Sequence, residues 1–280
     1  MTTLKVGCIQ LNSGPDIQEN LKQAGLLIRD AAKNGCEFIV TPENTDFMRE
    51  SSAMTVKTAL ETDQHPGFSF FSLLAKELSV WLLIGSMKIR VSSNKVVNRS
   101  FLFRDTGQLL VTYDKIHLFD VDLPNGESHR ESDSVEAGNK AVVVNTPWNK
   151  LGMSICYDIR FPYLYRSLAK HGAEMITVPA AFTAHTGEAH WETLLRARAI
   201  ETGSFIIAPA QCGTHEGDRK THGHSMIVGP WGQVLAEKVE DTPGVIYRKI
   251  DFLDVIKARR AIPSLEHDRN YDFYKTKTSL

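Results

Sequence analysis

The sequence Lys150-Leu151-Gly152-Met153-Ser154-Ile155-Cys156-Tyr157-Asp158-Ile159-Arg160-Phe161-Pro162 changes character at its cysteine. The apolar run before Cys156 predicts a strand, and Pro162 suits the first position of a helix. We therefore expect Cys156 at the tip of a strand, on a sharp turn into a helix. Such a turn presents a nucleophile to a cleft, and the N–H groups that follow can point at an oxyanion. The alternative is a buried structural cysteine, because free cysteine is among the most buried residue types.

Strands and helices alternate on both sides of this turn. Residues 4–10 predict a strand, a helix follows between Asp16 and Asn34-Gly35, and residues 37–41 predict a second strand. This βαβ order implies parallel strands, whereas Asp105-Thr106-Gly107 and residues 229–232 are typical of hairpins. Two sheets with helices outside, an α/β four-layer α-β-β-α sandwich, account for this mixture. Periodicity alone also allows a three-layer doubly wound fold.

The remaining predicted elements continue the alternation. Helices are predicted over residues 70–78, 163–171, 190–202 and 252–261, and strands over residues 81–86, 96–104, 108–113, 141–145, 150–155, 174–178, 204–211, 224–228, 234–236 and 244–250. Residues 116–138 show no clean period and predict a long functional loop. Because no repeat or low-complexity linker interrupts the chain, residues 1–280 are expected to form one domain, with 262–280 as a C-terminal tail.

Composition excludes several classes of protein. The chain has 280 residues, of which 42% are hydrophobic and 23% charged, as in an ordinary globular protein. Its 32 basic and 33 acidic residues give a net charge of −1, so neither nucleic acid nor a membrane is expected as a partner. No apolar run approaches the ~20 residues that span a bilayer. The first residues resemble neither a secretory nor a transit signal, which favours a cytoplasmic protein.

The metal-binding residue types are not spaced as ligands. The four cysteines, Cys8, Cys36, Cys156 and Cys212, form no C-x-x-C pair and no zinc pattern with histidines. We expect the three besides Cys156 to be buried filler, and the histidines at 117, 129, 190 and 224 to have supporting or structural roles. The sequence therefore predicts no metal and no cofactor.

Three reactive side chains follow predicted strands. They are Glu43, Lys115 and Cys156. Because ligands bind beyond the carboxyl ends of strands in α/β sheets, these side chains are expected to converge. Taken singly, each has another explanation, since Glu43 suits a cap, Lys115 a solvated charge and Cys156 a core position.

These segments resemble the nitrilase (carbon–nitrogen hydrolase) superfamily over nearly the whole chain. The motifs that carry the resemblance are Thr41-Pro42-Glu43, Tyr113-Asp114-Lys115-Ile116-His117, Ile155-Cys156-Tyr157-Asp158, Pro179-Ala180-Ala181-Phe182, Arg196-Ala197-Arg198 and Pro230-Trp231-Gly232. The resemblance implies the nitrilase-type α-β-β-α sandwich and a Glu-Lys-Cys triad. It also implies a homodimer or a larger homo-oligomer.

Within that superfamily, one branch resembles the chain most. Residues 119–124, Arg130-Glu131-Ser132 and Ala210-Gln211-Cys212-Gly213 are similar to the branch that hydrolyses deaminated glutathione. The sister branch of ω-amidases, which act on α-ketoglutaramate, shares the triad and remains an alternative, as does another small-amide or carbamoyl hydrolase. Two hypotheses from other functional classes compete with these: a non-enzymatic binding protein and a metal-dependent amidohydrolase.

The resemblance implies a role for each site residue. Cys156 is the nucleophile, Glu43 the general base, and Lys115 stabilises the oxyanion together with the backbone N–H of Tyr157. Burial is expected to raise the proton affinity of Glu43, whereas Lys115 opposes that rise. Glu131 matches a second family glutamate that orients Lys115 or the substrate nitrogen; otherwise it is a solvated loop carboxylate.

The implied substrate is a small amide that carries a carboxylate. Arg160 is a candidate to bind this carboxylate through its guanidinium fork, and Thr183 is a second candidate contact. Arg160 alternatively caps the helix or pairs with Asp158. Two further arginines are expected to form ion pairs on one helix, Arg196 and Arg198 with Glu192 or Glu201.

Overall fold

Two six-stranded sheets form the centre of the molecule. The computed structural model describes residues 2–274. Its longer strands are β1 (Thr3–Gln10), β2 (Phe38–Val40), β3 (Trp81–Arg90), β4 (Val96–Phe103), β5 (Leu109–Asp114), β6 (Asp120–Asp122), β7 (Ser128–Arg130), β8 (Val142–Asn145), β9 (Lys150–Met153), β10 (Met175–Thr177), β11 (Phe205–Ala208), β12 (Cys212–Thr214), β13 (Lys220–His222), β14 (Met226–Val228), β15 (Val234–Glu237) and β16 (Gly244–Asp251). The helices are α1 (Ile17–Lys33), α2 (Ser52–Thr58), α3 (Pro66–Leu78), α4 (Pro162–Lys170), α5 (Ala184–Thr202) and α6 (Leu253–Ala261).

The two sheets share one pattern of strand direction. The first has the order β16-β1-β2-β3-β4-β5 and the second β15-β14-β11-β10-β9-β8. In each, three central strands are parallel, β1-β2-β3 and β9-β10-β11, and antiparallel strands flank them. The carboxyl ends of β2 and β9 are therefore available to carry reactive residues, as predicted.

Alternation along β1 shows how the layers are built. Leu4 and Val6 belong to the apolar core shared by both sheets, which also contains Met153 of β9 and Leu195 of α5. Ile9 belongs to a second core beneath α1 and α3 on the outer face of the first sheet. Since successive strand residues face opposite sides, β1 is buried on both. The four layers are thus helices, sheet, sheet and helices, which confirms the predicted α-β-β-α sandwich.

The predicted boundaries of helices and strands differ most from the observed ones where the sequence has little apolar periodicity. Helix α5 begins at Ala184, six residues before the predicted start, because the Thr183 side chain accepts a hydrogen bond from the Thr186 N–H and caps it. Helix α2 buries no residue and left no periodic signal. The predicted loop 116–138 contains the β6–β7 hairpin, which the absence of a clean period did not indicate.

Part of the predicted tail packs on its own chain. Asp268 forms ion pairs with Arg166 and Lys170 of α4. The aromatic side chains of Tyr271 and Phe273 that follow are exposed. Residues 275–280 of the predicted tail lie outside the described residues.

No helix within residues 2–274 is both long and apolar enough to cross a membrane.

Candidate active site

Glu43 follows β2 and is held by three donors. Its Oε1 accepts hydrogen bonds from the Lys115 Nζ at 2.9 Å and from the Asn98 Nδ2 at 2.8 Å. Its Oε2 accepts one from the backbone N–H of Ala181 at 2.9 Å, across the gap between the two sheets. Only 3% of the residue is exposed. These contacts fix the orientation of a carboxylate away from bulk water, so the helix or turn cap that was the alternative for Glu43 is not what the structure shows.

Lys115 lies directly after β5 between two carboxylates. Its Nζ donates to Glu43 at 2.9 Å and to the Glu131 Oε2 at 2.8 Å. An ammonium has three N–H donors, so these two bonds leave one for a ligand. The lysine is 2% exposed, which excludes the solvated charge that was its alternative. The structure therefore places a buried, charged donor beside the glutamate.

Cys156 lies on the predicted sharp turn. Strand β9 ends at Met153, and a 3₁₀ turn over Cys156–Arg160 leads into α4. The cysteine has φ of +49°, a left-handed conformation that costs a residue other than glycine about 1–3 kcal/mol. Its N–H donates to the Pro179 carbonyl at 2.8 Å, which helps to hold the strained backbone.

Asp158 fixes the same turn from below. It accepts hydrogen bonds from the N–H of Ile155 at 2.9 Å, from the Tyr113 hydroxyl at 2.7 Å and from the N–H of His117 at 3.0 Å. The His117 ring lies 2.7 Å from the same carboxylate and stacks on Phe161. Asp158 is fully buried and pairs with His117, not with Arg160, so the structure does not support pairing with Asp158 as the alternative role of Arg160.

A cavity of about 380 Å³ joins these residues. Glu43, Lys115, Cys156 and Glu131 all line it, as do Tyr157 and Thr183. Its walls come from the segment after β2 through α2, from the β6–β7 hairpin and from the turn before β13. The further lining residues that carry polar or charged side chains are Asn44, Arg49, Glu50, Ser51, Ser52, Thr55, Lys88, Ser128, His129, Arg130, Asp133, Ser134, Thr186 and Arg219. The arrangement can hold a small polar molecule against the sulfur.

Two buried lysines decide the charge of the carboxylates. Burial is the largest single effect on the pKa of the Glu43 carboxyl and would raise it, but the Lys115 ammonium at hydrogen-bond distance and Lys88 together outweigh burial, and the pKa is lowered from 4.5. The pKa of Glu131 is lowered further, since burial is outweighed by Lys115 and Lys88. The expected rise in the proton affinity of Glu43 was therefore wrong, because the combined effect of Lys115 and Lys88 exceeds that of burial.

The pKa of the Cys156 thiol is shifted in the opposite direction from those of the two carboxyls. Burial, together with the negative charge of Glu43, raises its pKa above the ordinary 9.0, although Lys115 counteracts this in part. Burial also lowers the proton affinity of Lys115, but Glu131 and Glu43 outweigh it and hold its pKa well above 10.5. At neutral pH the site thus contains a thiol, a carboxylate and an ammonium, which is the charge state of a nucleophile with its general base.

Of the two residues predicted to bind the substrate carboxylate, Thr183 lines the cavity and Arg160 does not. The Thr183 hydroxyl lies at the cavity but is engaged as the helix cap and 2.9 Å from the Thr186 hydroxyl. Arg160 is not among the described residues that line the cavity. Its guanidinium lies over the rings of Tyr157 and Phe182, 5.9 Å and 5.2 Å from their centroids, and 3.3 Å from the His190 Nδ1. Direct contact between Arg160 and a substrate therefore stays a prediction.

The ion pairs predicted on α5 are present. Arg196 pairs with Glu192 at 3.0 Å and Arg198 with Glu201 at 2.9 Å. Arg198 also donates to the Ile159 carbonyl at 2.7 Å, which links α5 to the turn that carries the cysteine. These arginines are structural, as expected.

Sequence reasoning missed two residues of the buried cluster, Asn98 and Lys88. Asn98 on β4 donates to both Glu43 and Glu131, and Lys88 on β3 lies 3.5 Å from Glu131. The available signal was a charged or amide side chain next to apolar residues in or just after a predicted strand, Met87-Lys88-Ile89 and Val96-Val97-Asn98. A buried polar residue in such a run calls for a buried partner.

Comparison with known proteins agrees with this arrangement. A family model described as carbon-nitrogen hydrolase matches residues 5–260. The chain belongs to the carbon–nitrogen hydrolase family. It is therefore a hydrolase that acts on carbon–nitrogen bonds other than peptide bonds.

Individual relatives place the chain more narrowly. A Synechocystis sp. protein named deaminated glutathione amidase is 42% identical over 264 residues, covering 92% of this chain and 96% of the relative. The Caenorhabditis elegans NitFhit structure superposes with a TM-score of 0.90 at 34% identity, covering 96% of this chain and 66% of that longer one. Saccharomyces cerevisiae Nit3, described as a member of branch 10 of the nitrilase superfamily, gives a TM-score of 0.85 at 28% identity, covering 95% and 96%. This carbon–nitrogen hydrolase thus has the fold of the nitrilase superfamily.

Proposed function

We propose that this carbon–nitrogen hydrolase is an amidase that cleaves the amide of deaminated glutathione through a thioester on Cys156. The observation that carries the chemistry is the buried Lys115 between Glu43 and Glu131, in the cavity that contains the cysteine. The name of the 42% identical Synechocystis relative supports the choice of substrate.

In the first half-reaction, the Cys156 sulfur attacks the amide carbon. Glu43, ionised at neutral pH, takes the thiol proton as the carbon–sulfur bond forms. The remaining N–H of Lys115 and the backbone N–H of Tyr157 stabilise the oxyanion, each such donor being worth about 3–4 kcal/mol in the transition state. The carbon–nitrogen bond then breaks, and Glu43 gives the proton to the departing amine.

In the second half-reaction, water replaces the amine. Glu43 takes a proton from the water, whose oxygen attacks the thioester carbon. The carbon–sulfur bond breaks, Glu43 returns its proton to the sulfur, and the 2-oxo acid leaves. Glu131 has a positioning role here: it holds Lys115 at 2.8 Å and is itself held by the Phe119 N–H at 2.8 Å. Neither half-reaction consumes a cofactor.

The molecule as a whole is proposed to act as one domain of residues 1–280 in a homodimer or a larger homo-oligomer. A core common to both sheets supports the single domain. Two exposed apolar side chains, Ile200 on α5 and Trp231 in the turn between β14 and β15, support self-association. The substrate is a small molecule bearing a carboxylate, for which Arg160 and Thr183 remain proposed contacts. We expect the protein to be cytoplasmic.

The substrate is tested by comparing amides on a single purified sample. The values of kcat/KM for deaminated glutathione, α-ketoglutaramate and an N-carbamoyl amino acid separate the proposed amidase from an ω-amidase and a carbamoyl hydrolase. We expect deaminated glutathione to be the best substrate by at least about tenfold. A higher value for either of the other two contradicts the proposed substrate, and no hydrolysis of any of them contradicts the amidase itself.

A further inference from the structure

Three arginines lie around the cavity, and two of them already have carboxylate partners. The Nε of Arg49 is 3.0 Å from a carboxylate oxygen of Glu216, which makes an ion pair by distance although the angle falls short of a hydrogen bond. The Nη2 of Arg130 donates to both carboxylate oxygens of Asp122, at 2.8 Å and 2.7 Å. Arg219, just before β13, has no carboxylate within ion-pair distance among residues 2–274. Its charge is therefore not balanced by this part of the chain.

The guanidinium of Arg219 is also short of hydrogen-bond acceptors. Its Nε is shielded from solvent and has no acceptor within residues 2–274. Its Nη2 makes one long hydrogen bond, 3.4 Å to the Ala181 carbonyl. A buried donor on a charged group is costly to leave unpaired, more so than a neutral one. A site of this kind favours an anionic ligand with two oxygens, which matches the planar fork of arginine.

Arg219 is close to the reacting atoms. The peptide whose carbonyl it contacts belongs to Ala181, and the N–H of Ala181 donates to Glu43 at 2.9 Å. One residue thus links Arg219 to the general base. Arg219 and Cys156 also line the same cavity. A substrate bound against Cys156 therefore shares its cavity with this guanidinium.

We propose that Arg219 binds a carboxylate of the substrate and so selects acidic amides over neutral ones. The proposal rests on the proposed function. Deaminated glutathione offers two carboxylates, one on the 2-oxo acid half that becomes the thioester and one on the glycine of the departing amine. Both present the same chemistry to Arg219, and the substrates chosen for the test distinguish them.

The test compares Arg219→Gln with the wild type on four amides: deaminated glutathione, the same compound with its glycine carboxylate converted to an amide, α-ketoglutaramate, and a simple aliphatic amide. We expect kcat/KM for deaminated glutathione to fall by at least about thirtyfold, because one partner of a buried charge pair is removed. The aliphatic amide should lose less than about twofold. Arg219→Lys should recover part of the loss, since it restores the charge without the fork.

The pattern of losses identifies the carboxylate. A loss that disappears with the glycine amide assigns the glycine carboxylate to Arg219. A loss that persists with both the glycine amide and α-ketoglutaramate assigns the 2-oxo acid carboxylate. Equal losses on all four amides overturn the proposal, because Arg219 would then act on the fold or on the catalytic groups and not on a substrate charge.

The matched control is Arg29→Gln on α1, since Arg29 lies outside the cavity, is already paired with Glu77 and has a 46% exposed side chain. It should change kcat/KM by less than about twofold on every amide. If it reproduces the losses of Arg219→Gln, the effect is one of general positive charge and the proposal is overturned. If the wild type prefers another amide, the proposed substrate fails, while that amide and its carboxylate-free analogue still test Arg219.

Discussion

At the scale of single residues, the site depends on Lys115 because it balances two buried carboxylates. Breaking a buried pair by removing one partner typically costs 3–5 kcal/mol, since the other charge stays buried without compensation. Here the lysine faces both Glu43 and Glu131, with a second lysine, Lys88, beside Glu131. Two cations and two anions thus form a neutral cluster, which lets the carboxylates remain ionised away from water.

This charge balance predicts the pH dependence of the reaction. Glu43 must be ionised, and its pKa is lowered from 4.5, so activity should persist on the acid side until the pH falls below that value. The pKa of Cys156 lies above 9.0 and that of Lys115 well above 10.5, so the basic limb should lie above 9.0. We expect kcat/KM for a substrate of constant charge to be level between these limits.

The measurement is a pH profile of kcat/KM, with circular dichroism at each pH as a control for unfolding. The control is needed because a carboxyl with a lowered pKa stabilises the folded state above its unfolded pKa, and this stabilisation is lost as the pH falls through the folded pKa. An acidic limb in the range where histidines titrate, with the fold intact, would contradict the assignment of Glu43 as an ionised base.

Site residues could be predicted from the sequence where they lie in a recognisable motif. Residues that join the site only through a contact in the folded structure could not be predicted. Glu43, Lys115 and Cys156 each follow a strand inside a recognisable motif, so their convergence was expected. Arg219 lies in a polar turn, and its nearness to Ala181 depends on how β13 is placed against the start of α5. Neither composition nor spacing reports that contact.

At the scale of elements, the approach of the two sheets behind the site depends on Gly85 of β3. A Cβ on this glycine would lie 2.0 Å from the Thr41 carbonyl oxygen and 2.5 Å from both the Pro42 carbonyl oxygen and the Pro179 Cβ. These neighbours are the strand ends that carry Glu43 and the acceptor for the Cys156 N–H. No side chain fits between them.

We therefore predict that Gly85→Ala destabilises the fold and lowers activity. Overpacking of this kind costs about 1–3 kcal/mol and sometimes more, and here backbone atoms must move. Denaturant unfolding monitors the stability, and kcat monitors the displacement of Glu43. Gly14→Ala is the matched control, since its Cβ would meet only the Asn20 Oδ1 at 4.0 Å. Equal stability of the two variants would contradict this account of the sheet contact.

The elements that sequence reasoning predicted well are those with a buried apolar face. Helix α1 was expected between Asp16 and Asn34, and it begins and ends there because Asp16 accepts from the Glu19 N–H and Asn34 closes the last turn. The start of α5 was missed, since the run Ala184-His185-Thr186-Gly187 has no apolar period and the helix is specified there by the Thr183 cap. Short hairpins such as β6–β7 are too polar to show alternation.

At the scale of the whole molecule, the layer order followed from the mixture of βαβ units and hairpins only with help from the family resemblance. Periodicity left a three-layer fold open, because a strand buried on both faces looks the same in either architecture. The packing of β1 between two cores distinguishes them in the structure.

Two exposed apolar residues predict self-association. Ile200 on α5 is 55% exposed and Trp231 is 59% exposed. The two lie close together, since a Cβ on Gly232 would touch the Ile200 side chain. We expect light scattering to give at least about twice the chain mass of 31.3 kDa, and Ile200→Asp to lower it. Leu73→Asp, at a 67% exposed position on α3, is the control and should leave the mass unchanged. A wild-type mass of one chain would contradict the proposed oligomer.

The thioester on Cys156 is tested most directly by intact-protein mass spectrometry after rapid mixing with deaminated glutathione and acid quench. We predict that the wild type and Cys36→Ala, which removes a buried cysteine outside the cavity, both gain the mass of the 2-oxo acid less one water. Cys156→Ala, folded as judged by circular dichroism, should gain nothing and lose the activity. Hydrolysis by Cys156→Ala at the wild-type rate, or the same mass gain in that variant, would contradict the mechanism.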